Sequence, residues 1–187
     1  SGAPGVLDAP FMLALAPVRN ERDEAIAAFY LIIRTEKDFA RILSIARQSE
    51  AGDTYAFDGD GLMLSDSRHE QQLKTIGLIP NEPSARSILR IQLRDPGGDM
   101  TRGYRPQTPL TARPLTRLVA AATAGESPAQ VVIEPYRDYR GVSVVGAYRW
   151  LPKYGFGLAT EVSADWVFAA TRPLRLIVDL AHVRHVD

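Results

Sequence analysis

The sequence predicts an α+β domain in which an antiparallel sheet is flanked by helices and followed by a long C-terminal helix. Three observations carry this prediction. Apolar runs of strand length are interspersed with segments of helical periodicity along the 187 residues. The segments that join the last strands are too short for parallel crossovers, which favours antiparallel pairing. The composition, 45% hydrophobic and 24% charged, is that of an ordinary soluble globular protein.

The first predicted elements are two mostly buried strands and a helix. Phe11–Val18 and Ala25–Arg34 are apolar runs on either side of the polar turn 19–24, which is typical of a hairpin. Because this pair presents too much apolar surface to stand alone, we expect it to pack on the main sheet, on the domain's helices or on a second copy of the chain. A helix is expected over about 36–48. Its apolar residues recur at helical spacing, at Phe39, Ile42, Leu43 and Ala46.

The middle of the chain predicts a second hairpin, a short helix and a further strand. Strands over 54–57 and 62–65 flank the tight glycine turn Asp58–Gly61. A short helix is expected near 69–76, within an otherwise irregular polar segment. Leu, Ile and Leu alternate with polar residues over 89–93, which predicts a half-buried strand.

The last part of the chain predicts a loop, a helix, a three-stranded meander and a final helix. Residues 95–109 show no periodicity and form a long loop, whereas 114–124 has a helical apolar face and ends at Gly125. The short connections between the next strands predict an antiparallel meander. These strands are expected over 130–136, 142–150 and 155–162. Ser163 begins the final helix, which Pro173 is expected to kink.

Both the order of these elements and two sequence segments resemble a family of sensor domains. Two strands at the start and three at the end, around a helical middle, are the layout of a PAS-like domain. The first segment reads DTYAFDGDGLMLS over 53–65 and continues to Ser67-Arg68. The second reads YRDYRGVSVVGAYRW over 136–150, then GFGLATE and ADWVF up to residue 168. They resemble the opening hairpin and the end of the membrane-proximal module of double-Cache extracellular sensors.

This resemblance implies a domain organisation and a function. Residues 1–34 look like the remnant of a membrane-distal module, 35–175 like the Cache sensor module and 176–187 like a helical exit towards a membrane span. Family members are typically the extracytoplasmic parts of sensor kinases, cyclases or chemoreceptors. We therefore expect a ligand-sensing domain of a signal-transduction receptor, connected to the membrane only through flanking spans. The chain opens with Ser-Gly-Ala-Pro-Gly, and we expect it to be a piece of a longer protein.

Other functional classes are weighed against sensing. A structural or dimerisation module would share the fold but have a collapsed pocket. Enzymatic activity is not expected, because the chain has no cysteine and three histidines, which leaves few members for a catalytic triad. Twenty-two basic residues balance twenty-two acidic ones, so bulk charge does not draw the chain to nucleic acid.

The sequence motifs do not predict a cofactor or a metal. Asp58–Gly61 matches only half of a calcium loop, and Gly155–Gly157 lacks the third glycine of a dinucleotide-binding loop. Asp179, His182 and His185 share one face of the predicted final helix. We interpret them as solvated helix residues, with a metal site as the alternative.

The candidate ligand-binding residues concentrate in and near the turn 136–140. An arginine fork and an aromatic wall suit a ligand carboxylate, and Asp138 can also receive an ammonium group. We therefore expect a small anionic or zwitterionic ligand, such as a carboxylate or an amino acid. The candidates are Arg68, Tyr104, Tyr136, Asp138, Tyr139, Arg140, Tyr148 and Trp150. In the alternative interpretation, Asp138 and its neighbouring arginines pair with one another and fix the turn.

Overall fold

The structure, a computed structural model, describes residues 11–34, Leu43 and residues 52–169. Within these residues it is a mixed α and β structure with two antiparallel sheets and few helices, as the predicted α+β class requires. The chain divides into two compact units between Ala46 and Arg47. The rest of the predicted helix over 36–48 lies outside the described residues, as does the predicted C-terminal helix beyond Ala169 with its histidines.

The described part of the first unit is an antiparallel hairpin of β1, Phe11–Arg19, and β2, Ala25–Arg34. Asn20 holds the turn, because its side-chain oxygen accepts hydrogen bonds from the N–H groups of Arg22 at 2.9 Å and Glu24 at 3.0 Å. The predicted hairpin is thus confirmed. The prediction that its strands are mostly buried is wrong for this structure, since most of their large apolar side chains are exposed. A two-stranded sheet whose faces are both apolar cannot cover either face by itself.

The second unit is built on a four-stranded antiparallel sheet in the order β3-β6-β5-β4. The strands are β3, Gly52–Asp58; β4, Ala129–Arg137; β5, Ser143–Leu151; and β6, Phe156–Ser163. The last three are consecutive neighbours, so the predicted meander is confirmed. The sheet is completed by β3, which pairs with β6 along its whole length. This pairing brings the opening of the domain beside its last strand.

The core lies on one face of this sheet and is covered by two short helices. Helix α1, Glu70–Thr75, contributes the buried Leu73. Helix α2, Arg117–Thr123, packs on β4 and β5, and its predicted apolar face is confirmed. The buried residues of α2 are Leu118, Val119 and Ala122. The sheet adds mainly aromatic and aliphatic side chains: Tyr55, Phe57, Val132, Tyr136, Val144, Tyr148 and Ala159.

Two of the predicted strands are not formed as strands. Residues 62–65 make isolated bridges instead of a continuous ladder. Leu89 was expected to be buried like the other apolar residues of its segment, but it is exposed and has a φ of 55°. The physical reason is a turn at this point, where the N–H groups of Arg90 and Ile91 both donate to the carbonyl of Ser87 at 3.1 Å. In the segment 89–93 these local hydrogen bonds form a turn in place of the strand that the alternating apolar residues predict.

The last described element is helix α3, Ala164–Ala169, which begins immediately after β6. It contacts both β5 and β6. Asp165 lies in its first turn. Within the described part of the chain, no helix has the length and apolar character needed to cross a membrane.

Candidate functional site

A cavity of about 310 Å³ lies where β3, β5 and β6 meet helix α1 and the turn 138–142. Most of the residues that line it have polar side chains. Among the described residues, the lining includes five carboxyl groups, two guanidinium groups and one imidazole. The lining residues that carry the argument below are Asp53, Gln72, Tyr139, Arg140, Glu161 and Asp165.

Asp138 organises the turn that forms one wall of the cavity. Its Oδ1 accepts hydrogen bonds from the N–H groups of Arg140 at 2.8 Å and Val142 at 2.9 Å. The Asp138 carbonyl accepts a further bond from the N–H of Gly141 at 2.9 Å. A carboxylate that binds the backbone two and four residues ahead fixes the path of the turn, as in other aspartate turns. The sequence therefore sets this wall locally.

Gly141 allows a neighbouring loop to pack directly on this turn. It has a φ of +85°, and a Cβ at this position would run into the carbonyl oxygen of Gly98. Next to it, the carbonyl of Arg140 accepts a hydrogen bond from the N–H of Met100 at 3.0 Å. Glycine is required here both for the backbone angle and for the close approach. Through this contact the loop residues Asp99, Thr101 and Arg102 reach the cavity.

Arg140 turns inwards and forms a buried ion pair with Asp138. Its Nε and Nη2 donate to the Asp138 carboxylate at 2.9 and 2.6 Å, and its Nη1 donates to Gln72 of α1 at 2.6 Å. Burial raises the pKa of the Asp138 carboxyl, and the Arg140 guanidinium opposes that rise. The pair thus matches the alternative interpretation, in which Asp138 and an arginine fix the turn. Arg140 nevertheless still lines the cavity.

Arg137 points in a different direction from Arg140. Its Nε and Nη2 donate to the Asp95 carboxylate at 2.8 and 2.9 Å, in an exposed, two-bonded ion pair. The two guanidinium groups of the turn therefore do not converge on one ligand. Of these two arginines of the turn, Arg140 lines the cavity and Arg137 does not.

Tyr139 connects the turn to the first strand of the sheet. Its hydroxyl lies 2.7 Å from the Ser67 hydroxyl and donates to Asp53 at 3.3 Å. Ser67 also donates to Asp53, at 2.8 Å. Arg68 adds two further contacts. Its backbone N–H donates to Asp53 at 3.2 Å, and its guanidinium donates to the carbonyl of Gly52 at 2.5 Å. Arg68 thus helps to position Asp53 but does not itself line the cavity.

Glu161 is a deeply buried carboxyl of the site. It lies directly opposite Asp53 in the pairing of β6 with β3, and its Oε1 accepts a hydrogen bond from the Tyr136 hydroxyl at 2.8 Å. Burial raises the pKa of Glu161 to about 8; the charge of Asp138 adds to this rise, and the bond from Tyr136 opposes it. At neutral pH Glu161 is therefore mostly protonated.

The outer part of the cavity joins the loop to the final helix. Arg102 lies 3.4 Å from Asp99 of the loop and 3.9 Å from Asp165 of α3, and all three residues line the cavity. The Arg102 side chain is exposed, so these two ion pairs contribute little to stability. These ion pairs do, however, place the Arg102 guanidinium between the loop and α3.

The structure brings together only part of the predicted site. Asp138, Tyr139 and Arg140 line the cavity, and Tyr136 lies against its wall through Glu161. Tyr104 belongs to the exposed loop, where its ring lies over Gly98.

Tyr148 and Trp150 do not line the cavity. The Tyr148 hydroxyl donates to the carbonyl of Ala121 in α2 at 3.3 Å, and the Trp150 ring lies 6.0 Å from that of Phe57. Both side chains do share a face of β5 with Val144, which lines the cavity. However, four residues of strand span about 13 Å, so a shared face does not bring Tyr148 to the same site.

Asp53 and Glu161 are residues of the candidate site that the sequence reasoning missed. Each lies on the same face of its strand as core residues. Asp53 shares that face of β3 with Tyr55 and Phe57, and Glu161 shares it on β6 with Ala159. A carboxyl group at an inward position of an otherwise apolar strand is a recognisable signal of a site. Gln72 carried no such signal, because every residue of α1 except Leu73 is polar.

Comparison with known proteins does not add to this description. No protein-family model, curated protein or solved structure matches the chain. Across the described residues, no group of three or more His, Cys, Asp or Glu side chains is arranged to hold a metal ion. The chemistry of the cavity itself is therefore the basis for a functional proposal.

Proposed function

We propose that this chain is the small-molecule-sensing domain of a membrane-anchored signal-transduction protein, and that it has a Cache, PAS-like fold. The observation that carries the proposal is the polar cavity of about 310 Å³ beside the buried Asp138–Arg140 pair. Small-molecule sites typically enclose a few hundred Å³ and contain a few placed polar groups. A metabolite the size of an amino acid is suited to such a volume.

The arrangement of the sheet supports the proposed fold. A strand from the opening of the domain pairs with the last strand of a three-stranded meander, and the core helices cover one face. The meander and β3 agree with the element order on which the resemblance to double-Cache sensors rests, whereas residues 62–65 of the expected opening hairpin form only isolated bridges. In the proposed receptor the domain lies outside the cytoplasm, and the membrane spans and the output domain belong to flanking sequence.

A route for the signal is part of the proposal. Asp165 lines the cavity and belongs to the first turn of α3, which packs on β5 and β6. A ligand that binds more tightly when α3 is in one of two positions shifts the equilibrium towards that position. The size of the shift is set by the ratio of its affinities for the two states. The helix then passes this shift towards the membrane.

A structural or dimerisation module is the second candidate. It is favoured by one observation, the large exposed apolar side chains of the β1–β2 hairpin, such as Leu15, Phe29 and Tyr30. Exposed apolar surface of this kind is typical of contact surfaces between proteins. In that case the cavity would have no ligand.

A thermal-shift screen with two matched variants separates these candidates. The panel contains amino acids, small amines and small carboxylic acids. Ser163→Phe places a ring in the cavity, whereas Ser143→Phe adds the same ring at an exposed position of β5. We expect a ligand to raise the melting temperature of the wild type and of Ser143→Phe, but not of Ser163→Phe. If no member of the panel binds the wild type, the sensing proposal is wrong.

A further inference from the structure

Carboxyl groups outnumber cationic groups among the described residues of the cavity wall. The charge of Arg140 is already matched by Asp138 at 2.6 Å. Arg102 is exposed and lies near two carboxylates of its own. The inner wall also presents Glu161, which accepts a hydrogen bond from Tyr136 and forms no ion pair with a described residue, so the site is better suited to a positive group than to a further negative one.

The positions of Asp53 and Glu161 strengthen this point. Residues directly opposite on antiparallel strands have Cβ atoms about 5 Å apart, and two like charges in such a pair destabilise the sheet. Asp53 and Glu161 form such a pair, on the face that carries the cavity, and both are nearly fully buried. The repulsion is removed if Glu161 holds a proton, or if a cation lies beside it.

We propose that the ligand carries a primary ammonium group, which binds at Glu161 and takes the place of the Glu161 proton. This inference rests on the sensing function proposed above. In the exchange the carboxyl O–H bond breaks, its proton passes to solvent, and the ammonium N–H groups donate to the carboxylate that remains. For a simple amine the net charge inside the cavity is unchanged, because the ammonium group replaces the proton; the carboxylate of an amino acid adds one negative charge.

The surroundings of Glu161 are consistent with this exchange. The ionisable groups that face it are Asp53 and Tyr55 of β3, Tyr136 of β4 and Asp138 of the turn. Among the described residues, the other ionisable groups of the cavity wall are His69, Asp99, Arg102, Tyr139, Arg140 and Asp165. Because burial raises the pKa of Glu161 to about 8, the empty cavity has a proton to release at neutral pH. An ammonium group has three N–H donors and replaces that proton with hydrogen bonds.

A carboxylate on the same ligand also has a place to bind. Arg140 has five N–H donors, of which three are directed to Asp138 and Gln72. Arg140 itself lines the cavity. An amino acid or a simple amine therefore suits the site better than a purely anionic acid, which narrows the anionic or zwitterionic class expected from the sequence.

The test compares ligands that differ by one charged group. Leucine, 3-methylbutylamine and 4-methylpentanoate form such a set, and every other hit of the screening panel is compared with its own deaminated and decarboxylated counterparts. Titration calorimetry is carried out at pH 6, 7 and 8. We expect the ammonium compounds to bind and the acid not to bind. Because one proton is released, the Kd should fall about 50-fold between pH 6 and pH 8.

Two variants identify the group that releases the proton. Glu161→Gln should weaken binding at pH 8 and abolish its pH dependence, and its melting temperature shows whether it is folded. Glu134→Gln removes an exposed carboxylate of β4 and should behave like the wild type. Binding by the acid alone, or an unchanged pH dependence in Glu161→Gln, overturns the ammonium inference but leaves sensing intact. Binding by no compound of any class overturns the sensing proposal itself.

Discussion

Asp53 and Glu161 face each other across β3 and β6, and each side chain belongs to a residue that is only 3% exposed. Two ionised carboxylates in this position would repel each other in surroundings that screen charge poorly. The raised pKa of Glu161, about 8, follows from burial and from the neighbouring acidic groups. A buried group that keeps its proton at neutral pH makes the stability of the fold depend on pH.

The first prediction concerns the pH dependence of stability. The pKa of Glu161 is about 8 in the folded chain and near the ordinary value of about 4.3 in the unfolded chain. Between these values the folded state holds a proton that the unfolded state has lost, so rising pH favours unfolding. Glu161 alone should lower the free energy of unfolding by about 1.4 kcal/mol per pH unit near pH 6 and by about half of that near pH 8, where Glu161 of the folded chain is itself half ionised.

Urea denaturation of the wild type and of Glu161→Gln at pH 6, 7 and 8 measures this effect. The difference between the two proteins isolates Glu161 from every other titrating group. We expect the variant to gain stability relative to the wild type as the pH rises. Parallel pH dependences in the two proteins would contradict the assignment of a proton to Glu161.

The second prediction concerns the hydrogen bond from Tyr136. The Tyr136 hydroxyl donates to Glu161 at 2.8 Å and so favours the carboxylate form. Tyr136→Phe should raise the pKa of Glu161 further, whereas Tyr139→Phe, which loses contacts to Ser67 and Asp53, should change it less. Carbon-13 NMR titration of the side-chain carboxyl groups reports both values. A lowered pKa in Tyr136→Phe would show that the bond does not favour the ionised form.

The third prediction concerns the close approach at Gly141. Gly141→Ala should cost about 2–4 kcal/mol, because the new Cβ meets the backbone of Gly98 in addition to the strain of a positive φ. Gly103→Ala is the matched control: its φ is +90° and no atom lies within 4 Å of a Cβ there. It should cost only about 1–2 kcal/mol. Chemical denaturation that finds equal losses would refute a special role for the contact.

The fourth prediction compares the two arginines of the turn. Arg140→Ala leaves Asp138 buried without its partner and should cost about 3–5 kcal/mol. Arg137→Ala removes an exposed pair with Asp95 and should cost about 1 kcal/mol or less. Thermal and urea denaturation of the two variants, compared with the wild type, check this ranking. A similar stability for both variants would mean that the buried pair does not fix the turn.

The sheet of the second unit was largely predictable because strand patterns are local. The three strands of the meander begin and end within about one residue of the positions expected from apolar runs and short connections. The strand expected around Leu89 failed because its alternation is interrupted by a turn at Ser87, which the apolar pattern alone does not show. The order β3-β6-β5-β4 depends on the long-range pairing of β3 with β6, which local sequence patterns do not predict.

The site was less predictable than the fold, because its side chains have partners that are distant in sequence. The segment 136–140 was identified as the centre of the site, but its side chains separate: Tyr136 binds Glu161, Arg137 binds Asp95 and Arg140 reaches Gln72. These directions depend on segments that the turn meets only after folding. A search for charged residues at inward strand positions would have added Asp53 and Glu161.

The most direct test of the central claim, that the cavity is a ligand site connected to α3, is an NMR titration. ¹H–¹⁵N correlation spectra are recorded while the best-binding compound of the screening panel is added. We predict saturable shifts at Asp138–Val142 and Glu161–Ser163 that extend into α3, Ala164–Ala169. Saturable shifts confined to the β1–β2 hairpin, or to any surface away from these segments, would contradict the account.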